Sequence, residues 1–221
     1  MTSHPWLLLT CLLAASAPAA LLPNGDFSEA SPANKSQPRA WAQPDGLGVQ
    51  WADTGDAAHG KAICLDTRVT ERAMMDQWRK LGLTNEWNIP HPADNAIAET
   101  YGLSFYSDPI PVQAGQAYRV VFDYKGHPGG AKVWVRCYGE VGGQKRQLYN
   151  TTVECRGGDA AQWHTLAQAF FPTRVRPGMK NLQHISLMRV MLFAYFPAGI
   201  YWFDNVRIEP ISPSEYEAAK R

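Results

Sequence analysis

Trp134, Arg136 and Tyr138 alternate with Val133, Val135 and Cys137. In an extended segment successive side chains leave on opposite faces. Burying the small apolar set therefore sends the indole, the guanidinium and the phenol out together on the other side. Large rings beside a planar cation suit a ligand with a flat C–H face and a rim of hydroxyls, such as a sugar ring: ring stacks on ring, and polar heads bond the hydroxyls. Arg119, Asp123 and Lys125 alternate in the same way with Tyr118, Val120, Phe122 and Tyr124. On a neighbouring strand they would add polar contacts to that face, and Tyr149, beyond the turn at Gly142-Gly143, would supply a further wall. Two outcomes stay open. Either the row lines an open groove, or the segment 70–97 lies over it and makes Trp134 and Tyr138 part of a second small core. Trp78, Trp87 and Tyr106 then form either the rim or the cover.

Catalytic signatures are thin. His59, His91, His127, His164 and His184 are scattered, and no Gly-x-Ser-x-Gly elbow is present. Ser104 and Ser107-Asp108 lie beside no identifiable base, and Glu99 with Asp123 is a pair of acids whose separation sequence does not give. Gly129-Gly130 and Gly142-Gly143 read as turns and not as phosphate cradles. No Cys-x-x-Cys or His/Cys cluster points to zinc. Asn34-Lys35-Ser36 and Asn150-Thr151-Thr152 match the glycosylation sequon, a short pattern that recurs by chance.

The elements that position these residues belong to a chain of 221 residues, 45% hydrophobic and 19% charged, long enough for one generous core. A formal net charge of +1 argues against a protein built to grip nucleic-acid backbones. An apolar run from Trp6 to Ala15, followed by Ala15-Ser16-Ala17-Pro18-Ala19-Ala20, reads as a secretory leader over 1–20. No second apolar stretch reaches membrane length, so a soluble, exported protein is expected: secreted, periplasmic or at the cell surface. Beyond the leader, Cys64, Cys137 and Cys155 remain. A hairpin turning at Gly142-Gly143 puts Cys137 opposite a residue near Leu148, roughly 23 Å of strand away from Cys155, which excludes that bridge. Cys64 with Cys155 stays open, as do free buried thiols.

Alternation dominates the rest. Ile63 and Leu65; Leu103 and Phe105; Tyr118, Val120, Phe122 and Tyr124; and the 133–138 run read as strands, with a central, covered strand over Ser186–Phe196 and a last one from Tyr201 to Ile208. Turn residues separate them at Asp108-Pro109, Gly126–Gly130, Gly142-Gly143, Arg176-Pro177-Gly178 and Pro197-Ala198-Gly199. Many strands with short turns predict a β-sandwich or barrel. One helix is predicted over Thr70–Leu81, ended by Gly82. Ser212-Pro213-Ser214-Glu215 has capping-box form and predicts a short exposed helix at the end.

Four fragments in order resemble the jelly-roll carbohydrate-binding modules of the galactose-binding-like type, which includes families four, nine and twenty-two. They are Leu21–Phe27, similar to an "N-G-x-F" opening; His59–Ile63; Ser107–Arg119, with its "S-x-p-i-x-v" turn; and Tyr201–Ile208, similar to a closing "y-x-D-n-V-x-i" strand. The resemblance implies an all-β jelly-roll β-sandwich over 21–210, with a partly helical insertion near 70–97 and a tail over 211–221. It also implies a structural calcium, with Asp204 carried over from the closing strand and Asp26 and Ser28 from the opening. Ser28 stands where the family usually has Glu, and Glu29 follows one place later. The expected function is non-catalytic binding of a polysaccharide or glycan by Trp134, Arg136, Tyr138, Arg119, Asp123, Lys125 and Tyr149. The alternatives are a structural or protein-interaction sandwich with a cell-surface protein partner, and a polysaccharide-acting hydrolase or lyase. Neither nucleic acid nor a transmembrane segment is expected.

Overall fold

The computed structural model describes residues 21–220, so the expected leader lies outside the described residues. Ten strands form: β1 (Val49–Asp53), β2 (Lys61–Asp66), β3 (Leu103–Tyr106), β4 (Ile110–Pro111), β5 (Ala117–Lys125), β6 (Ala131–Val141), β7 (Gln144–Glu154), β8 (His164–Phe170), β9 (Ile185–Ala194) and β10 (Ile200–Ile211). They pair into two antiparallel sheets, β1-β2-β10-β5-β8 and β3-β9-β6-β7, with β4 added to β9. The architecture is a jelly-roll β-sandwich.

The alternating apolar residues meet between the sheets. Ile63, Leu65, Val120, Phe122, Tyr201, Phe203 and Ile208 face Leu103, Phe105, Val133, Val135, Cys137, Met188 and Val190, all buried. Each large side chain removed from water in this way contributes about 1.5–3 kcal/mol. The β6–β7 hairpin closes through Gly142 and Gly143, both at positive φ (62° and 72°), as a two-residue turn of the twist-matching kind requires. A bulge after Cys137 sets it opposite Tyr149 and not Leu148. Cys64, Cys137 and Cys155 are all buried free thiols, so no bridge joins Cys64 to Cys155.

The opening segment is latched to the closing strand. The Val206 amide donates to the Gly25 carbonyl at 2.8 Å, and the Leu21 amide donates to Ile208 at 2.9 Å. Asn24 holds the turn by donating to the carbonyls of Glu29 and Arg39 and accepting from the Glu29 amide. Trp41, fully buried, donates from its indole to the Asn24 carbonyl and stacks on Phe105 with ring centroids 5.7 Å apart.

The predicted insertion carries the helix α1 (Glu71–Leu81), capped by the Thr70 hydroxyl and ended by Gly82 in the left-handed region. Met74, Met75 and Trp78 face inward and join the main core. Glu71, buried at the helix start, accepts from the Ala93 amide (2.9 Å), Asn95 (3.2 Å) and the Thr100 hydroxyl (2.5 Å), which ties both ends of the insertion together. These three donors hold its carboxyl below the ordinary range. At the far end α2 (Pro213–Ala218) has the capping box read from Ser212 and Glu215. It is less exposed than expected, because Tyr216 is buried against Ala117 and Ile211.

Candidate functional site

The outward residues of the sheet β3-β9-β6-β7 fall into rows across the strands. Cross-strand register puts Phe193, Lys132 and Glu154 in one row and Tyr106, Met191, Trp134 and Thr152 in the next. Arg189, Arg136 and Asn150 make the third, and Pro111 of β4, Leu187, Tyr138 and Gln147 the fourth. Val133, Val135 and Cys137 are fully buried while Trp134, Arg136 and Tyr138 are partly exposed, so the alternation read from sequence holds.

Rings and cations interleave on this face. Tyr195, Phe193 and Trp134 stack in succession, with centroids 5.6 Å and then 5.8 Å apart. The Arg136 guanidinium lies 4.5 Å from the centre of the Trp134 ring, and its Nη1 donates to the Tyr106 hydroxyl at 3.4 Å. Arg189 lies 5.0 Å from the Tyr106 ring and donates from Nε to the Ser107 carbonyl at 2.7 Å. Lys132 is paired with Glu154 at 3.5 Å. The Trp134 indole N–H is buried and has no hydrogen-bond partner among the described residues. The insertion meets this face at its rim. Trp87 packs on Tyr106 at 6.2 Å and Trp78 on Trp87 at 6.1 Å. The ring and hydrogen-bond contacts of Trp134, Arg136 and Tyr138 are instead to Phe193, Lys132, Tyr106 and Lys145.

The remaining expected ligand contacts lie elsewhere. Arg119, Asp123 and Lys125 are on β5, which pairs with β10 and β8 in the opposite sheet. The Gly126–Gly130 connection carries the chain across the sandwich, so consecutive strands are not neighbours here. Asp123 accepts from Thr165 (2.6 Å) and Asn205 (2.8 Å), Lys125 lies 5.8 Å over the Trp163 ring, and Arg119 sits 3.9 Å from Glu209. Tyr149 also fails to wall the Trp134 face. In register with Cys137, it is buried and points between the sheets. With Arg119, Gln168, Arg176 and Tyr216 it lines a separate open groove of about 590 Å³ where β7 and β8 face each other.

The calcium expectation meets donors already engaged. Asp204 accepts from the Asn205 amide through Oδ1 (2.7 Å) and contacts His59 Nδ1 through Oδ2 (2.9 Å). Asp26 lies by the closing strand with Asn205 and Arg207, and its Oδ1 faces the Ser28 amide at 3.4 Å. Among the described residues no three His, Cys, Asp or Glu side chains gather as metal ligands. Asp26 and Ser28 lie at the opening turn and Asp204 on β10, beside Asn205 and His59.

The His59–Asp204 pair had no signal in the sequence, since 145 positions separate its members. The His59 ring stacks on Trp163 with centroids 3.9 Å apart. Burial pushes the Asp204 carboxyl up to about 6, against the pull of the Asn205 amide and His59. Burial likewise pushes the Cys64 and Cys137 thiols up to about 12 and the Cys155 thiol higher, which leaves all three unsuited to act as nucleophiles. Arg189, Phe193 and Tyr195 belong to the Trp134 face but escaped sequence reasoning, whereas Tyr106, read as rim or cover, does lie on it. The one available signal was an arginine breaking the apolar run at Met188-Arg189-Val190.

No family model matches the chain, and no curated protein matches it. Solved structures do resemble it. One is a family 61 carbohydrate-binding module in complex with beta-1,4-galactotriose, 15% identical, covering 87% of this chain and 99% of its own, with a TM-score of 0.42. A second is a family 22 xylan-binding domain from Paenibacillus barcinonensis, 13% identical, covering 90% of this chain and 99% of its own, at 0.40. A third, an arabinose-bound family 51 α-L-arabinofuranosidase, is 13% identical and covers 92% of this chain but 28% of its own length, at 0.49. What those proteins bind or cleave is a property of theirs. Among the described residues no helix is long and apolar enough to cross a membrane.

Proposed function

We propose that this chain is a non-catalytic carbohydrate-binding module of an exported protein, holding a polysaccharide on the outer face of β3-β9-β6-β7. One observation carries the reading: Tyr195, Phe193 and Trp134 form a row of stacked rings beside Arg136, Arg189 and Asn150, with the insertion at the rim. The ring surface left exposed along this row offers apolar contact to sugar C–H groups, and the guanidinium and amide groups supply donors and acceptors for hydroxyls. Export is supported by the apolar, small-residue pattern of residues 1–20. The test is a panel of soluble and immobilised plant, algal and bacterial polysaccharides. At least one is expected to bind with a dissociation constant of order micromolar to millimolar, without release of reducing ends or unsaturated products. A panel without a binder overturns the carbohydrate reading, and product release overturns the non-catalytic part.

A further inference from the structure

Resting on that reading, we propose that the glycan is acidic, with a hexuronate carboxylate seated between Arg136 and Arg189 while a sugar ring lies on Trp134. The two arginines stand directly opposite each other on adjacent strands. Like charges in that position cost stability, and a neighbouring carboxylate would relieve the cost. Among the described residues neither makes an ion pair, although nine ion pairs form elsewhere. Lys132, on the same face, already has Glu154.

Both guanidiniums are nevertheless held in place. Arg189 is fixed by one N–H on the Ser107 carbonyl and by the Tyr106 ring, and Arg136 by Trp134 and the Tyr106 hydroxyl. Each guanidinium has five N–H donors, and each spends one in the side-chain bonds just given. The donors left over on each guanidinium can form a planar fork, and the register brings the two residues to the same row. That arrangement matches the planar, two-oxygen acceptor of a carboxylate better than single point charges would. Trp134 occupies the adjacent row, with the Arg136 guanidinium 4.5 Å from its ring centre.

The experiment compares polygalacturonate with its fully methyl-esterified form, a pair that shares a backbone and differs in the masked carboxylate. A sulfated galactan is compared with its desulfated form alongside. The acid form of the uronate pair is expected to bind about tenfold or more tightly than its ester, with an advantage that shrinks as NaCl is raised. Arg136→Gln and Arg189→Gln should each abolish that advantage while leaving residual binding that still depends on Trp134. Arg136→Lys, which keeps the charge but loses the fork, should abolish most of it. Arg79→Gln, a surface cation on α1, should change nothing. Equal affinity for acid and ester with binding intact overturns this inference and leaves the proposed function standing, as does a preference confined to the sulfated galactan. Absence of binding to every polysaccharide in the panel overturns the proposed function itself.

Discussion

Trp134→Ala is expected to weaken polysaccharide binding roughly thirtyfold or more, the about 2 kcal/mol typical of a buried aromatic anchor. Circular dichroism and the thermal midpoint should stay close to those of the parent. The contrast follows from where the indole sits. It is on the outer face of β6, flanked by Phe193 and Arg136, and contributes no surface to the layer between the sheets. Truncating it removes the centre of the ring row and leaves Val133 and Val135, which hold β6 against the opposite sheet, untouched. Trp134→Phe should recover part of the affinity, because a smaller ring still stacks. Trp163→Ala, on the opposite sheet beside His59 and Lys125, should bind as the parent does. Isothermal titration with the best polysaccharide of the panel reads all three. An unchanged affinity in Trp134→Ala would contradict the assignment of the face.

Gly25→Ala is expected to cost about 3 kcal/mol or more, among the largest effects open to a single methyl group. A Cβ built at Gly25 would land on the carbonyl oxygen of Val206. The obstacle is backbone and not a flexible side-chain tip, and the same two residues are joined by the Val206 amide on the Gly25 carbonyl. The opening segment must therefore lift off the closing strand, and with it goes the Asn24 carbonyl that satisfies the buried Trp41 indole. Gly199→Ala is the matched control, because a Cβ there meets the Tyr201 ring at an ordinary 3.5 Å. Urea denaturation gives both values. A Gly25→Ala midpoint equal to that of the parent would show that the latch is not structural.

Local rules carried much of the fold. Strict alternation over 133–138 determined which side chains of β6 look outward, because one face of that strand is fully buried. Two adjacent glycines set the β6–β7 turn, and Thr70, Gly82, Ser212 and Glu215 marked helix ends through capping chemistry that depends on a few neighbouring residues. Sheet membership was not local. Arg119, Asp123 and Lys125 have the parity expected of them, yet β5 and β6 belong to different sheets, and no periodicity within either strand records which strand it pairs with. The bulge after Cys137 is invisible for the same reason. Arg189 was hidden by its apolar neighbours, and its meaning emerges only when β9 lies beside β6 and sets it opposite Arg136. His59 and Asp204 come together solely through tertiary structure.

The central claim is that the ligand lies on the face carrying Trp134, and the indole N–H resonance of that residue reports on it directly. Its N–H is buried and unpartnered among the described residues, as is that of Trp163, so each signal reports a ligand packed against its own ring and not a direct hydrogen bond. In a nitrogen–proton correlation titration with an oligosaccharide of the bound polysaccharide, the Trp134 indole signal is predicted to move furthest and saturably, with the Trp163 signal stationary. Saturable shifts confined to Trp163, or to backbone amides of the Tyr149 and Gln168 groove, would contradict the account.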